Sequence, residues 1–321
     1  MKVLITGCAG FIGFHLCLKL LNKNNSVIGL DTLNNYYSKS LKLNRLKILQ
    51  RNKKFSFKKI DISNFNSLKK VFKKNNFDLV INLAAYAGVE YSLINPSAYI
   101  KTNEMGFFNL LELSKNTKVP KIIFASSSSI YGENKLPFHE KQNTDCPISL
   151  YGATKKNNEI LAYYYAKQFK INIIGIRFFT VFGPYGRPDL SIFKFCDQII
   201  NNKKITLNNR GNNYRDFTYI DDLIDSLDKI IYYKKNLNYQ IFNISSGKKI
   251  KISTLVKILE KQLKKKAKCK YGKRISTDIK ASLSYSKKLK NVIKFKTPVN
   301  FAIGIKHFVN WYKSYYNVGK N

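Results

Sequence analysis

A short apolar strand that runs straight into a glycine-rich loop constrains this chain more than any other sequence feature. Lys2–Thr6 supplies the strand, Gly7–Gly13 the loop, and Phe14–Leu21 has the apolar spacing of a helix. Glycines permit a tight turn and a close approach of the backbone to a ligand, and the N-terminus of the next helix attracts a pyrophosphate. The segment therefore predicts a dinucleotide-binding unit.

A second predicted strand, Ser26–Leu30, ends at an acidic residue, Asp31. In a dinucleotide-binding unit, an acid at this position hydrogen-bonds the adenosine ribose and repels a 2′-phosphate. The pattern thus favours NAD over NADP as the cofactor. The alternative interpretation is a carboxylate that only caps a helix.

Strands and helices alternate along the first 176 residues. Further strands are predicted at 55–60, 79–83, 121–125 and 171–176, and helices at 40–51, 69–74, 99–114 and 151–167. This alternation predicts an α/β fold, a doubly wound parallel (Rossmann) sheet with ligands at the carboxyl ends of its strands. We predict that 1–176 and 214–244 form the NAD-binding domain, and that 177–213 and 245–321 form a smaller, interleaved α/β substrate-binding lobe.

Tyr151 and Lys155 are the candidate acid–base pair. On a helix, residues four apart share a face, and a nearby ammonium group lowers a tyrosine pKa from its usual value of about 10. A hydroxyl from the serine run Ser126–Ser129 could share the same substrate proton. Two other Tyr-x-x-x-Lys matches begin at Tyr131, in a predicted loop, and at Tyr163, about 18 Å further along the predicted helix. We interpret both as coincidences.

A formal net charge of +38 raises the question of nucleic-acid binding. The excess is nearly all lysine, spread along the chain together with asparagine and isoleucine, which is typical of a surface composition rather than of a binding motif. We predict that nucleic-acid binding is not the main function. The charge should nevertheless attract anionic substrates through its long-range field.

Other classes of protein are disfavoured by composition. The glycine loop follows Met1 so closely that we expect no signal peptide, and no apolar run approaches the roughly 20 residues of a membrane span. The five cysteines are scattered, and the three histidines lie far apart, so we predict no metal site and reduced thiols. These features together predict a cytoplasmic protein without membrane insertion.

Several motifs together resemble those of extended short-chain dehydrogenase/reductases that act on nucleotide sugars. They run from the Gly7–Gly13 loop, through the serine run and the Tyr151/Lys155 pair, to Arg215–Asp222. Within that family, three segments look most like those of UDP-glucuronate 4-epimerases: Leu30–Tyr37, Ala125–Gly132 and Arg177–Asp189.

The resemblance implies reversible hydride transfer at carbon 4 of a UDP-sugar, through a 4-keto intermediate and with NAD staying bound. Tyr151 would be the base, Lys155 would lower its pKa and hold the nicotinamide ribose, and Ser127 would share the proton. The implied cofactor contacts are Gly7, Gly10, Phe11, Ile12, Gly13, Asp31, Asp61, Ile62, Leu83, Ala84, Ala85, Asn103, Tyr151, Lys155 and Phe178. The implied substrate contacts are Ser128, Ser129, Thr180 and Arg187 for a sugar carboxylate, and Arg215 and Arg274 for the diphosphate.

The serine run also discriminates between reactions within the family. Related 4,6-dehydratases carry an Asp-Glu pair in this loop, and related decarboxylases carry a glutamate at the position of Ser129, whereas no acid lies between Ser126 and Tyr131 here. The resemblance therefore favours simple epimerisation. Glu90 stands where uronate epimerases usually carry arginine, and the segment 272–278 replaces their usual Pro-Gly-Asp turn.

The leading hypothesis is thus an NAD-dependent UDP-sugar 4-epimerase that interconverts UDP-glucuronate and UDP-galacturonate for polysaccharide synthesis, as a homodimer. A neighbouring alternative is an epimerase of UDP-glucose or a UDP-N-acetylhexosamine. An alternative from another class is a non-catalytic protein that binds a dinucleotide or nucleic acid.

Overall fold

A computed structural model describes residues 1–273 and 279–318 of the chain. The predicted diphosphate contact Arg274 lies outside the described residues. Among the residues described, no helix combines the length and the apolar character needed to cross a membrane.

Within the described residues, the strands form a seven-stranded sheet, a three-stranded sheet and a two-stranded sheet. The large sheet has the order β10-β6-β5-β4-β1-β2-β3, and all of its strand pairs are parallel. The strands are β1 Lys2–Thr6, β2 Ser26–Asp31, β3 Phe55–Lys59, β4 Leu79–Asn82, β5 Lys121–Ser127, β6 Asn172–Phe178, β7 Thr180–Phe182, β8 Lys204–Asn208, β9 Tyr214–Tyr219, β10 Tyr239–Ile244, β11 Lys249–Lys251 and β12 Lys268–Gly272.

Helices cover both faces of the large sheet, which confirms the predicted doubly wound α/β fold. The α-helices are α1 Phe11–Asn22, α2 Lys39–Leu49, α3 Phe65–Lys73, α4 Tyr91–Ile94, α5 Pro96–Tyr99, α6 Gly106–Asn116, α7 Leu150–Phe169, α8 Ser191–Ile200, α9 Ile220–Ile231, α10 Ile252–Leu263, α11 Lys287–Lys290 and α12 Phe301–Tyr315. A π-helical turn spans Ile100–Met105, and 3₁₀ turns span Ser128–Tyr131 and Asn209–Gly211.

The core follows from the alternation of side chains along buried strands. In β1, Val3 and Ile5 join the apolar cluster that contains α1 and α9, while Leu4 joins the cluster that contains α3, α6 and α7. The first cluster continues into the smaller lobe, where Phe193 and Phe308 are buried in it. A shared core therefore holds the lobe against one face of the large sheet.

The two small sheets belong to the smaller lobe. Strand β9 lies between β7 and β11, parallel to the former and antiparallel to the latter, and β8 pairs with β12. The predicted division placed all of 214–244 with the NAD-binding domain. In the structure, the chain first contributes β9 to the lobe and then returns to the large sheet with α9 and β10, because α9 packs on α1 and β10 pairs with β6.

The predicted helix 99–114 is interrupted rather than continuous. The π-helical turn Ile100–Met105 joins α5 to α6 and carries Asn103. Turns of this kind often occur at functional sites. The turn directs Asn103 into the interior, where its side chain is 1% exposed.

Candidate active site

The carboxyl ends of β1, β2, β3 and β4 border a cleft with a volume of about 170 Å³. Eight of the predicted cofactor contacts line this cleft. They are Gly7, Gly10, Asp31, Asp61, Ile62, Leu83, Ala84 and Ala85. The cleft lies at the sheet edge where doubly wound folds bind dinucleotides.

The glycine loop leaves room that a side chain would fill. Gly7 has a φ of +69°, and a Cβ built there would lie 2.8 Å from the Ala84 backbone nitrogen. A Cβ on Gly13 would lie 2.1 Å from the Gly7 carbonyl oxygen, so helix α1 can pack closely on the loop. The loop therefore presents backbone to the cleft, as a pyrophosphate requires.

Two of the predicted cofactor residues can offer a ligand only their backbone. The side chain of Phe11 is buried in the core, and that of Ile12 packs against it. Their N–H groups belong to the first turn of α1, where a helix leaves its amides without internal partners. These amides suit an anionic diphosphate.

Asp31 lies at the end of β2, and both of its carboxylate oxygens accept hydrogen bonds from the backbone. Its Oδ2 accepts a hydrogen bond from the Ala9 backbone at 3.2 Å, and its Oδ1 accepts one from the Leu33 backbone at 2.8 Å. Burial raises the pKa of this carboxyl, and the Leu33 amide and the charge of Lys42 oppose that rise. The position fits the predicted ribose contact.

Lys42 lies in the same cleft and was not among the predicted site residues. Its Nζ donates to the backbone oxygen of Asn34 at 2.8 Å and to the Asn34 Oδ1 at 2.7 Å. It lies 4.4 Å from the ring centroid of Tyr37. Burial lowers its pKa to about 8, while Asp31 acts in the opposite direction.

Asn103, one of the predicted cofactor contacts, forms hydrogen bonds within the protein. Its Oδ1 accepts from the Tyr86 backbone at 2.9 Å, and its Nδ2 donates to the Tyr86 carbonyl at 3.0 Å and to Thr154 Oγ1 at 3.1 Å. Both amide protons are thus used within the protein. Asn103 holds the Tyr86 backbone, which lines the cleft, against the helix that carries Tyr151.

The second centre of the site forms where α7 begins. The Ser149 Oγ accepts from the Gly152 backbone at 3.1 Å and caps the helix. A Cβ on Gly152 would lie 2.7 Å from the Ser129 carbonyl oxygen, so the helix contacts the serine run directly. This close packing places Tyr151 opposite Ser127.

Tyr151 is buried, with 9% of its surface exposed. Burial raises the pKa of its phenol, while a hydrogen bond with the Ser127 side chain and the charge of Arg187 lower it. The prediction assigned this lowering to Lys155. In the structure, the Lys155 Nζ instead donates to the Ala125 carbonyl at 3.0 Å and lies 5.9 Å from the Tyr151 ring centroid.

Lys155 is 1% exposed, and burial lowers its pKa to about 8. The ammonium is held at the end of β5, beside the serine run, by the Ala125 carbonyl.

The serines of the run point in different directions. Ser126 Oγ donates to Glu159 Oε1 at 2.5 Å, and Glu159 forms a buried ion pair with Arg177 at 2.7 Å. Ser127 Oγ accepts from the Ser129 backbone at 3.1 Å. The ion pair therefore fixes one serine in the core and leaves the next one facing Tyr151.

The other two Tyr-x-x-x-Lys matches lie outside this arrangement. Tyr131 ends a 3₁₀ turn, and its hydroxyl donates to Asn243 Oδ1 at 2.8 Å in the interior. Tyr163 is on α7, but 51% of its surface is exposed. Both observations agree with the interpretation of these matches as coincidences.

Phe178 and Thr180 lie where the chain leaves the large sheet for the lobe. Phe178 ends β6 and pairs with Ser127 of β5, which places it beside the serine run. Thr180 begins β7 and lines one small cavity together with Arg187. Arg215, on the neighbouring strand β9, donates to the Tyr214 carbonyl at 2.7 Å.

Arg187 lies in the segment after β7 and is paired with a carboxylate of the same chain. Its guanidinium contacts Asp189 at 2.5 Å, with side-chain exposures of 17% and 32%. Desolvation opposes the charge on Arg187, but Asp189 outweighs it and raises the pKa of the guanidinium. Sequence reasoning predicted the arginine and not its carboxylate partner.

Two side chains from the cofactor half hold the loop before Arg187. Arg45, 0% exposed, donates to the Ala9 carbonyl at 2.8 Å and to the Tyr185 carbonyl at 2.6 Å. His15 Nε2 lies 3.0 Å from the Pro184 carbonyl oxygen. Arg45 thus joins the glycine loop to the loop that carries Arg187. No motif in the sequence indicated this role.

A model of the NAD dependent epimerase/dehydratase family matches residues 3–245 of this chain, which is more than half of it. This chain belongs to the NAD-dependent epimerase/dehydratase family. The match confirms the family predicted from the sequence motifs. It also covers every predicted cofactor and catalytic residue.

Individual members of the epimerase/dehydratase family are similar along nearly the whole chain. A UDP-glucuronate 4-epimerase of Thermodesulfobacterium geofontis is 42% identical over 97% of this chain and 95% of its own length. UDP-glucuronate 4-epimerase 4 of Arabidopsis thaliana is 41% identical, covering 100% of this chain and 77% of its own length. The crystal structure of UDP-glucuronic acid 4-epimerase from Bacillus cereus, in complex with UDP-glucuronic acid and NAD, superposes with a TM-score of 0.94 at 34% identity, covering 98% of this chain and 100% of that one.

Proposed function

We propose that this protein is an NAD-dependent UDP-glucuronate 4-epimerase that interconverts UDP-glucuronate and UDP-galacturonate. The observation that carries the proposal is the buried phenol of Tyr151, which is hydrogen-bonded to the Ser127 side chain and lies within range of the Arg187 charge. The relatives named above carry the same activity in their names, and the serine run contains no acid that would assist elimination or decarboxylation.

The residues of the cleft fit NAD. The glycine loop and the first amides of α1 would hold the pyrophosphate, and Asp31 would accept hydrogen bonds from the adenosine ribose. NAD, when bound, supplies a hydride acceptor and donor for carbon 4 of the sugar. The bound NAD of the Bacillus cereus structure supports this assignment.

Tyr151 would accept the proton of the sugar 4-hydroxyl as phenolate and later return it. Burial raises the pKa of the Tyr151 phenol, and the Ser127 hydrogen bond and the Arg187 charge oppose that rise by stabilising the phenolate. Lys155, anchored on Ala125, would orient the nicotinamide ribose. These roles require no further acid or base, which is consistent with epimerisation.

Ser128, Ser129, Thr180 and Arg187 would recognise the sugar carboxylate, and Arg215 would contact the diphosphate. A guanidinium forms short, charge-assisted hydrogen bonds with a carboxylate. A second candidate is epimerisation of a neutral UDP-hexose, which the Arg187–Asp189 pair favours because the guanidinium is already matched by an acid.

The decisive experiment mixes purified protein with a panel of UDP-sugars and follows the products by NMR without added reductant. We expect UDP-glucuronate to give a mixture of two epimers. Conversion of UDP-glucose alone would establish the second candidate, and release of carbon dioxide would identify a decarboxylase. Absence of a product from every UDP-sugar would refute the enzyme assignment.

We also propose that the protein is a homodimer formed through α6 and α7. These two helices pack side by side, and several large apolar side chains on them and on the adjoining π turn are exposed. The exposed residues are Ile100, Met105, Phe108, Ile160, Tyr163 and Tyr164. Contiguous exposed apolar surface of this kind marks an interaction site.

Light scattering after size exclusion tests the dimer. We expect Ile160→Glu to give monomers, because the charge would lie in the interface. Ile303→Glu on α12 is the matched control, since the two isoleucines are 54% and 51% exposed. A wild-type protein that is monomeric at micromolar concentration would contradict the proposal.

A further inference from the structure

The guanidinium of Arg187 holds a carboxylate of the same chain. Its Nε donates to Asp189 Oδ1 at 3.0 Å, and its terminal NH2 donates to Asp189 Oδ2 at 2.5 Å. This is the two-pronged geometry in which arginine binds carboxylates most strongly. Asp189 therefore occupies the donors of Arg187 that a uronate substrate would use.

Tyr36 completes the group of donors around this carboxylate. Its hydroxyl lies 3.4 Å from Asp189 Oδ2 and 3.5 Å from the Arg187 guanidinium, and its ring lies 5.6 Å from the guanidinium carbon. The ring is held among other tyrosines, with centroids 5.5 Å from Tyr86 and 4.8 Å from Tyr91. Cation, phenol and carboxylate thus form one packed unit.

The carboxylate of this unit is ionised and can reach water. Burial opposes the charge on Asp189, but Arg187 outweighs it and holds the pKa of the carboxyl below its usual value. The Asp189 side chain remains 32% exposed, whereas that of Arg187 is 17% exposed. Asp189 is therefore the partner that can turn towards water while the more buried guanidinium stays in place.

We propose that Asp189 is a specificity-determining residue that competes with the sugar carboxylate for Arg187. The inference rests on the proposed function, in which Arg187 recognises a uronate. A bound uronate replaces the Asp189 carboxylate with its own on the same guanidinium. The free energy of binding therefore includes only the difference between the two contacts. A neutral sugar offers no carboxylate, and the internal pair stays closed. Asp189 thereby limits the affinity for both uronate epimers and assists release of the product.

The test measures KM for UDP-glucuronate and UDP-galacturonate in wild-type protein and in Asp189→Asn. We expect KM for both uronates to fall about three- to tenfold, because the competing charge is removed while the side chain keeps its size. KM for UDP-glucose, and the affinity for UDP measured by calorimetry, should change less than about twofold. An increase in the KM for uronates would overturn the proposal, since it would show that Asp189 orients Arg187 for the substrate.

Two further variants make the result specific. Asp225→Asn is the control for the loss of a carboxylate. Asp225 on α9 forms an exposed ion pair with Lys19 on α1 at 2.7 Å, and its replacement should leave every KM unchanged. In an Arg187→Met background, Asp189→Asn should no longer change the KM for uronates, because the competition needs the guanidinium. An equal gain with and without Arg187 would also overturn the proposal.

The two claims can fail separately. Wild-type conversion of UDP-glucuronate tests the proposed function alone, whereas the ratio between Asp189→Asn and wild-type KM tests the competition. The NAD content of each purified variant, read from its absorbance after denaturation, verifies that the variant is folded.

Discussion

The two ends of the active site are built in different ways. The proton-transfer end, consisting of Ser127, Tyr151 and Lys155, comes from one strand and the next long helix of the parallel sheet. The carboxylate end, consisting of Tyr36, Arg187 and Asp189, comes from two loops far apart in the chain. The first end is fixed by the sheet and by close helix packing, and the second is fixed by side chains from the other half of the molecule.

This difference suggests a division of labour. In the proposed function, the proton-transfer end performs chemistry that every UDP-sugar epimerisation needs, and the packing of Gly152 on Ser129 leaves it little freedom. The carboxylate end is held by ion pairs and by hydrogen bonds to loop carbonyls, which local sequence changes can alter. We therefore expect variants of the first end to affect all substrates and variants of the second to affect uronates.

The largest effect is expected for Tyr151→Phe. Removal of the general base should lower kcat by about 10³-fold for uronate and neutral UDP-sugars alike. The variant should keep its NAD, because the phenyl ring retains the packing of the buried tyrosine. Single-turnover kinetics and NAD content provide the measurement, and near-normal turnover would exclude Tyr151 as the base.

Arg187→Met should sharpen the comparison by separating substrates. Loss of a charged hydrogen bond should lower kcat/KM for UDP-glucuronate by about 10- to 100-fold, and that for UDP-glucose by less than about threefold. Steady-state kinetics with both substrates gives the ratio. An equal loss for both would place Arg187 with the general chemistry rather than with recognition of the carboxylate.

Arg45→Met tests how the two ends are joined. The buried carbonyls of Ala9 and Tyr185 would lose their donor, so the free energy of unfolding should fall by about 2–3 kcal/mol. KM for UDP-glucuronate should rise more than KM for UDP-glucose, because the loop carrying Arg187 is released. Urea denaturation and kinetics check both, and Arg51→Met on the exposed chain after α2 is the control.

The smallest effect is expected on the pH profile. Burial raises the pKa of Tyr151, and Ser127 and Arg187 oppose that rise. Two further titratable groups lie nearby: the Tyr99 ring, whose centroid is 6.3 Å from that of Tyr151, and the Lys155 ammonium. Because kcat/KM rises as the phenolate forms, Arg187→Met should move the rising limb to higher pH, by less than about half a unit. Asp189→Asn should move the same limb to lower pH, since it leaves the arginine charge unopposed. A limb that stays in place in both variants would contradict the assignment of that limb to Tyr151.

Much of the proton-transfer end could be predicted because its signals are local. Gly7, Asp31 and the Tyr151/Lys155 pair each stand at a fixed offset from a strand or helix that the sequence pattern reveals. The predicted fold and family were confirmed for the same reason. The helical pattern did not reveal the π turn that directs the Asn103 amide to Tyr86 and Thr154, and the contact of Asn103 with the cofactor stays a prediction.

The carboxylate end was only partly predictable. Arg187 stands in a recognisable motif, but whether an arginine is available depends on what it meets in space. The spacing on the helix predicted that Lys155 lowers the Tyr151 pKa, whereas in the structure burial raises this pKa and Ser127 and Arg187 oppose the rise. The predicted division grouped 214–219 with the large sheet, whereas in the structure β9 pairs with β7 and β11.

The sequence by itself determined the parallel sheet, the glycine loop and the pair of residues on α7, because each depends on periodicity or backbone freedom over a few positions. Only the tertiary structure decided which groups set the charge around Tyr151 and which partner Arg187 holds. Arg45 shows the reason. Its guanidinium contacts Ala9, which is 36 positions away in the chain, and Tyr185 and Gly186, which are 140 and 141 positions away. Electrostatic interactions act through space, and chain order does not record them.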